Sequence, residues 1–394
     1  MTVDTFGSFS DSFRVATTVL IQPEPLRWAR KLRFLSLEEA ADRIGVEAAE
    51  LSRWEATGAE LSLTRFENVA SSLRIPASVL FSPSAPSAPS LPEDFRTFLG
   101  VPPKHSFDFS VAFSRATDKA RNLLSLLERT GEELPKLPLY GQTIDPESLA
   151  IKERERLGLD PLASLSWSPG RSFHHCRAII EDAGVPIFQE RFPEEDCRGF
   201  TFYYEGLGPV IVVNRNETFG AAKAFTVLHE YCHALRREYS LSDESPRNPR
   251  EAYCNKFAAA FLMPRKLIQN LFGPVPNQPN SEIRSRIKYA AGRMKVSQQA
   301  LAIRLEEIGY APSGFAREFS RYQGFMPSRA RKGGNATNTL FSDIGGKFAS
   351  VAAEASNEGL VSLRELSELF GERVASIDAV ITAAERQERY SKSR

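Results

Sequence analysis

His229-Glu230-Tyr231-Cys232-His233 is the stretch on which the reading of this chain turns. From 221 to 239 there is no proline, and Gly220 lies just before the run. Ala221, Ala224, Phe225, Leu228, Cys232 and Leu235 recur at helical spacing, so the segment reads as a helix with one apolar stripe. His229 and His233 lie at the edge of that stripe, four residues apart on one face, close enough to share one metal ion. Glu230 is turned about 100° away, free of the metal and able to act on a metal-bound water. The structural alternative for the two histidines is packing or surface polarity.

A catalytic zinc site needs a third protein ligand and one open position. Glu251 is the best candidate. It opens Glu251-Ala-Tyr-Cys-Asn-Lys-Phe-Ala-Ala-Ala-Phe-Leu-Met263, a second helical run ended by Pro264. Glu251, Asn255, Ala258 and Leu262 share one face. The small Ala258 allows close helix packing, and Asn255 is placed to orient the ligand shell. The alternative is a first-turn carboxylate favoured by the helix dipole. Glu238, Asp243 and Glu244 are rival ligands in the intervening loop. Zinc is the expected metal, although manganese or iron also suits a His₂Glu set.

These segments resemble the ImmA/IrrE metallopeptidases. Phe225-Thr-Val-Leu-His229-Glu230-Tyr-Cys-His233 is similar to their F-T-x-x-H-E-x-x-H core. The run from Glu251 through Asn255, Phe257 and Ala258 to Met263-Pro264 is similar to their second signature. Pro209-Val-Ile-Val-Val-Asn214 looks like the strand before their active-site helix, and Val296-Ser-Gln-Gln-Ala-Leu-Ala-Ile-Arg-Leu305 resembles their closing helix. The resemblance covers about residues 165–310. It implies a zincin-like fold, with His229, His233 and Glu251 as zinc ligands and Glu230 as catalytic base. Tyr231, Tyr253 and His175 remain open as the second oxyanion donor. Cys232 stands where a glycine is usual, and Cys254 where an alanine is usual. Both lie on apolar faces of their helices and read as buried small hydrophobes, not thiolate ligands.

Four cysteines without C-x-x-C spacing suggest reduced thiols and a cytoplasmic protein. The apolar patch at 15–21 lacks a basic lead and a cleavage site, so a signal peptide is not expected. No apolar run reaches bilayer length, and a net charge of +1 gives no global pull toward nucleic acid or membrane. At 394 residues, two or three domains are expected.

Residues 1–22 form an extension of uncertain role. The stretch 23–81 reads as a bundle of four or five short helices. Ser36-Leu-Glu-Glu39 is a capping box, and Gly45-Val46 makes a turn before a third helix. The spacing fits a helix-turn-helix, and Leu35 to Val46 followed by Leu51-Ser-Arg-Trp-Glu55 resembles the XRE-type repressor domain. Such domains commonly precede ImmA/IrrE domains. The DNA-facing positions would be Glu47 and Glu50, with Arg43 and Arg53 the nearest cations. Carboxylates facing phosphates are unfavourable, so a bundle that binds protein is the rival.

A Pro/Ser-rich linker spans 82–96, a helical connecting region 97–164, and a helical C-terminal region 311–394, where 341–359 and 362–387 read as helices of a tail domain. Arg329-Ala-Arg-Lys332 is a basic stretch. The expected architecture is α+β and predominantly helical, with a small sheet beside the active-site helix. The expected function is a cytoplasmic zinc endopeptidase and transcriptional regulator that cleaves a partner repressor or toxin protein in a stress, mobile-element or toxin–antitoxin response. The alternative is a non-catalytic DNA-binding regulator or antitoxin that keeps the fold as a binding module. Double-stranded operator DNA and a homodimer are the expected partners on the regulatory side.

Overall fold

The computed structural model describes residues 18–86, 106–141, 143–167, 171–237, 240–241, 248–272, 281–323 and 336–392. The first seventeen residues, the linker beyond residue 86, the rival carboxylates Glu238, Asp243 and Glu244, and the basic stretch 329–332 lie outside them. The chain divides into two compact units, Met1–Pro89 and Ser90–Arg394. The fold is predominantly helical α+β, with small sheets.

The first unit runs β1 (Thr18–Ile21), α1 (Pro23–Leu32), α2 (Leu37–Ile44), α3 (Ala48–Thr57), β2 (Ala59–Ser62), α4 (Leu63–Ser72) and α5 (Ala77–Leu80). The capping box is present: the Glu39 amide donates to Ser36 Oγ at 3.1 Å, and the Ser36 amide donates to Glu39 Oε2 at 2.8 Å. Gly45, at φ +82°, closes α2 in the left-handed region. Leu26, Ala40, Leu51, Phe66, Val69 and Leu80 make the core. Beside it Glu55, buried, is held by Arg30 at 2.6 Å.

Residues 18–21, noted in the sequence only as part of an apolar patch, form a strand. β1 pairs antiparallel with β2, from Thr18 opposite Ser62 to Ile21 opposite Ala59. Gly58 permits the approach, because a Cβ there would lie 2.7 Å from the Ile21 carbonyl oxygen. This long-range pairing leaves no local periodicity to read.

In the second unit, α6 (Phe107–Thr130), α7 (Pro146–Arg156) and α8 (Ser172–Asp182) precede a four-stranded sheet. Its strands are β3 (Ile187–Glu190), β4 (Gly199–Tyr204), β5 (Gly208–Asn214) and β6 (Ser240–Leu241), in the order β3-β5-β4-β6. β3 and β5 are parallel, and β4 is antiparallel to both β5 and β6. The pleat of β4 splits its side chains. Phe200 and Phe202 pack on Phe109 and Phe113 of α6, with ring centroids 5.2 and 5.4 Å apart for Phe109–Phe200 and Phe113–Phe202. Gly199, Thr201 and Tyr203 face the other way, onto α9 (Gly220–Arg236).

α9 is buried on every side from Thr226 to Leu235, not along one stripe. The sheet covers one flank, and α8 and α10 (Pro249–Leu262) cover others. α11 (Arg265–Leu271), α12 (Ser281–Met294), α13 (Gln298–Glu307) and α14 (Phe315–Gln323) follow. The run expected at 341–359 is two helices, α15 (Ala336–Ile344) and α16 (Gly346–Asn357), broken at Gly345 with φ +92°. The run at 362–387 is α17 (Leu363–Phe370) and α18 (Val374–Lys392), broken at Gly371 with φ +63°. Helical periodicity cannot see a one-residue left-handed break.

These last helices pack on the unit that carries α9. α15 lies against β3, and α16 against α6 and α8. Charged side chains pin them there. Arg177 and Glu181 pair at 2.9 Å, and Glu181 Oε2 accepts from the Gly346 amide at 3.0 Å. Arg215 meets Asp343 at 2.7 Å.

Candidate metal centre

α9 and α10 build the site. Their close packing brings His229, His233 and Glu251 together, and each is buried. His229 Nε2 lies 2.9 Å from Glu251 Oε2, and His233 Nε2 lies 3.3 Å from Glu251 Oε1. The two Nε2 atoms are 3.2 Å apart. A tetrahedral zinc with bonds of about 2.0–2.1 Å has ligand–ligand edges of about 3.3 Å. The triangle therefore has the size that three protein ligands of one zinc would have. The donor set, two imidazoles and a carboxylate, is that of a catalytic zinc site. Among the described residues it is the group of three that could hold a metal.

The second nitrogens of both imidazoles are also engaged. His229 Nδ1 is 2.9 Å from Asn255 Oδ1. Since a carbonyl oxygen can only accept, Nδ1 carries the hydrogen and Nε2 is left as the ligand atom. His233 Nδ1 is 3.6 Å from Cys254 Sγ. Burial works to raise the Glu251 pKa, but the hydrogen bonds with His229 and His233 outweigh it and hold the carboxyl at about 2. Glu251 is thus an anion wherever the protein is folded near neutral pH. Burial drives the Cys254 thiol the other way, well above its ordinary value, so it stays neutral.

Glu230 is fully buried and stands outside the ligand triangle. Thr201 Oγ1 donates to Glu230 Oε2 at 2.8 Å and lies 3.1 Å from the Glu230 carbonyl oxygen. Gly199 makes room for this contact: a Cβ there would meet Thr226 Cγ2 at 2.6 Å and Glu230 Cγ at 3.4 Å. Sequence reasoning missed both residues. The signal was present in the alternation of Gly199-Phe-Thr-Phe-Tyr-Tyr204, where Gly199 and Thr201 lie opposite the phenylalanine face.

The hydroxyls of Tyr231 and Tyr253 bond to groups outside the ligand triangle. The Tyr231 hydroxyl donates to Glu153 Oε2 at 2.6 Å and accepts from Arg156 at 2.6 Å, on the side of α9 that faces α7. Burial, reinforced by Glu153, raises its pKa far above the usual phenol range. The Tyr253 hydroxyl donates to the Ile144 carbonyl at 2.7 Å. His175 stacks on Trp167, with ring centroids 5.4 Å apart. Beyond the far end of β4 and α9, a cavity of about 750 Å³ is lined by Leu124, Leu134, Tyr203, Leu207, Ala234 and Arg237.

In the first unit the four candidate DNA-binding residues, Arg43, Glu47, Glu50 and Arg53, lie on or beside α2 and α3. Arg43 Nε donates to the Ser72 carbonyl at 3.1 Å. Glu47 sits at the N-cap of α3, and Glu50 pairs with Arg65 at 2.9 Å. Arg53 is exposed on α3. Arg65, which the sequence did not single out, also lies over the Trp54 ring at 5.0 Å.

No described helix is long and apolar enough to cross a membrane. No curated protein matches the chain. Residues 180–306 match the peptidase family model described as the IrrE N-terminal-like domain, so the stretch that carries His229, Glu230, His233, Glu251 and Asn255 is similar to metallopeptidases of that kind.

Proposed function

We propose that this chain is a zinc-dependent endopeptidase that cleaves a partner regulatory protein, a repressor or toxin, in a cytoplasmic stress or defence response. The observation that carries the reading is the buried pairing of Glu230 with Thr201 beside a ligand triangle sized for one zinc. A carboxylate tied to a hydroxyl, and left out of the ligand set, suits the role of a base. When bound, zinc polarises the scissile carbonyl and acidifies water at the open position. Glu230 takes the proton from the attacking water at its carboxylate and passes it to the leaving amine. Thr201 holds that carboxylate in one orientation through the transfer. Asn255 keeps the proton of His229 on Nδ1.

Burial of Glu230 fits a site that acts on one docked partner better than on free peptides, because a substrate must be seated before it reaches the base. The test is capture by an inactive trap. Glu230→Gln should keep its metal and retain an uncleaved partner from cell extract that the wild type releases as fragments. Cleavage of that partner by the Glu230→Gln protein would sink the mechanism.

A second reading belongs to the first unit. α2, the turn at Gly45 and α3 have the lengths of a helix-turn-helix, and exposed Arg53 on α3 and Arg65 nearby offer phosphate contacts. In this reading the unit binds operator DNA as a homodimer, and the peptidase fold is retained as a binding module. Footprinting on the chain's own promoter at low salt tests it. Protection at paired half-sites, lost in Arg53→Ala, supports it, and absence of protection moves the unit to protein recruitment.

A further inference from the structure

Two consecutive residues of α10 face the two imidazoles of the metal centre. Asn255 takes His229 Nδ1 at 2.9 Å, and Cys254 takes His233 Nδ1 at 3.6 Å through Sγ. We infer that Cys254 is a positioning residue of the metal centre: its thiol sulfur accepts the Nδ1–H of His233, fixes that ring and leaves Nε2 to bind the metal. The inference rests on the metal reading of His229, His233 and Glu251.

The argument is one of tautomers. A neutral imidazole carries one hydrogen, and the nitrogen that binds metal must be the other one. His233 Nε2 points into the ligand triangle, 3.2 Å from His229 Nε2 and 3.3 Å from Glu251 Oε1. The hydrogen must then sit on Nδ1, which faces Cys254 Sγ. Sulfur is a weak acceptor with a long contact distance, and 3.6 Å falls within that range. The contact is also enclosed. Cys254 is fully buried and His233 nearly so, which strengthens a weak polar contact relative to water. Adjacency on one helix explains how a single element serves both ligands. Residues i and i+1 are about 100° apart, so Cys254 and Asn255 reach different rings of α9, while Glu251 comes from one turn earlier.

The role separates from packing by the choice of replacement. Cys254→Val fills the space and offers no acceptor. Cys254→Ala opens space and offers none. Cys254→Ser keeps a compact acceptor. Zinc affinity is measured by competition with a chromophoric chelator on the full chain, and the fold of each metal-free variant by circular dichroism. Loss of such a partner costs about 10–100-fold in metal affinity, and the weak sulfur acceptor belongs at the lower end of that range. The expected result is zinc binding weakened about tenfold in both Cys254→Ala and Cys254→Val, with Cys254→Ser close to wild type. Should the Val protein fail to fold, the Ala and Ser pair carries the same comparison. Wild-type affinity in Cys254→Ala overturns the assignment while leaving the metal reading intact. Loss in Ala that Val restores does the same, because it marks a packing role. A wild-type chain that takes up no zinc overturns the metal reading, and this assignment with it.

Discussion

Thr201 Oγ1 on β4 and Glu230 Oε2 on α9 are 2.8 Å apart, and both side chains are buried. The sheet is therefore tied to the helix that carries His229 and His233, at the residue read as the base. Thr201→Val removes the hydroxyl and keeps the shape. Cleavage of the captured partner should slow by roughly tenfold or more, since an unpositioned base loses part of the 10²–10⁴-fold that base catalysis supplies. Zinc content should not change, and Thr201→Ser should restore the rate. An unaltered rate in Thr201→Val would remove Thr201 from the site.

Asn255 gives a prediction on the other side of the triangle. Asn255→Ala should weaken zinc binding by about 10–100-fold, because His229 loses the acceptor that fixes its tautomer. Asn255→Asp, which still accepts, should bind close to wild type. Equal affinities for the Ala and Asp proteins would show that the 2.9 Å contact with His229 is incidental.

Tyr231 separates stability from chemistry within the same pentad. Its hydroxyl links Glu153 and Arg156 of α7 to α9. Tyr231→Phe leaves a fully buried carboxylate short of a donor, so it should cost about 1–3 kcal/mol in urea unfolding. Zinc content should stay at the wild-type level. Loss of metal in Tyr231→Phe would mean that the hydroxyl network reaches the ligands.

Lys223 sets a pH dependence. It lies about two turns before His229 on α9 and donates to Gln189 Oε1 at 2.5 Å. Burial pulls its pKa down to about 8; Glu217 and Asp343 oppose the shift, and Arg215 and Arg177 add to it. In the unfolded chain the group titrates at about 10.4. Between those values the unfolded state holds more protons than the folded state, so the Lys223 contribution to stability rises with pH across that window. The stability difference between wild type and Lys223→Met should shift toward wild type between about pH 7 and about pH 9.5. A difference that stays flat by denaturant titration would contradict the burial of this ammonium.

The legible parts of the chain were those whose meaning is local. The metal triad came from i, i+4 spacing plus a carboxylate opening the next helix, and the structure brings those three together. Ser36 and Glu39 announced a cap that is present in full. What escaped was non-local or single-residue. β1 forms only because β2 lies forty residues further on, opposite it. Thr201 gains its role from a sheet laid across α9, and Arg65 from Glu50 and Trp54 on a neighbouring helix. Gly345 splits an apolar helical run by its backbone angle alone. Cys254 looked like a small hydrophobe on its wheel, and it is buried as one, but its sulfur touches His233. A helical wheel shows which face a residue occupies and not which atom of the partner helix lies opposite.

The most direct test of the central claim is metal content of the purified full chain, compared among wild type, Glu230→Gln and Glu251→Gln. The account predicts about one zinc per chain in wild type and in Glu230→Gln, because Glu230 lies outside the triangle, and a large loss in Glu251→Gln, whose carboxylate bridges both histidines. Zinc retained at the wild-type level in Glu251→Gln, or lost in Glu230→Gln with the fold intact, would contradict it.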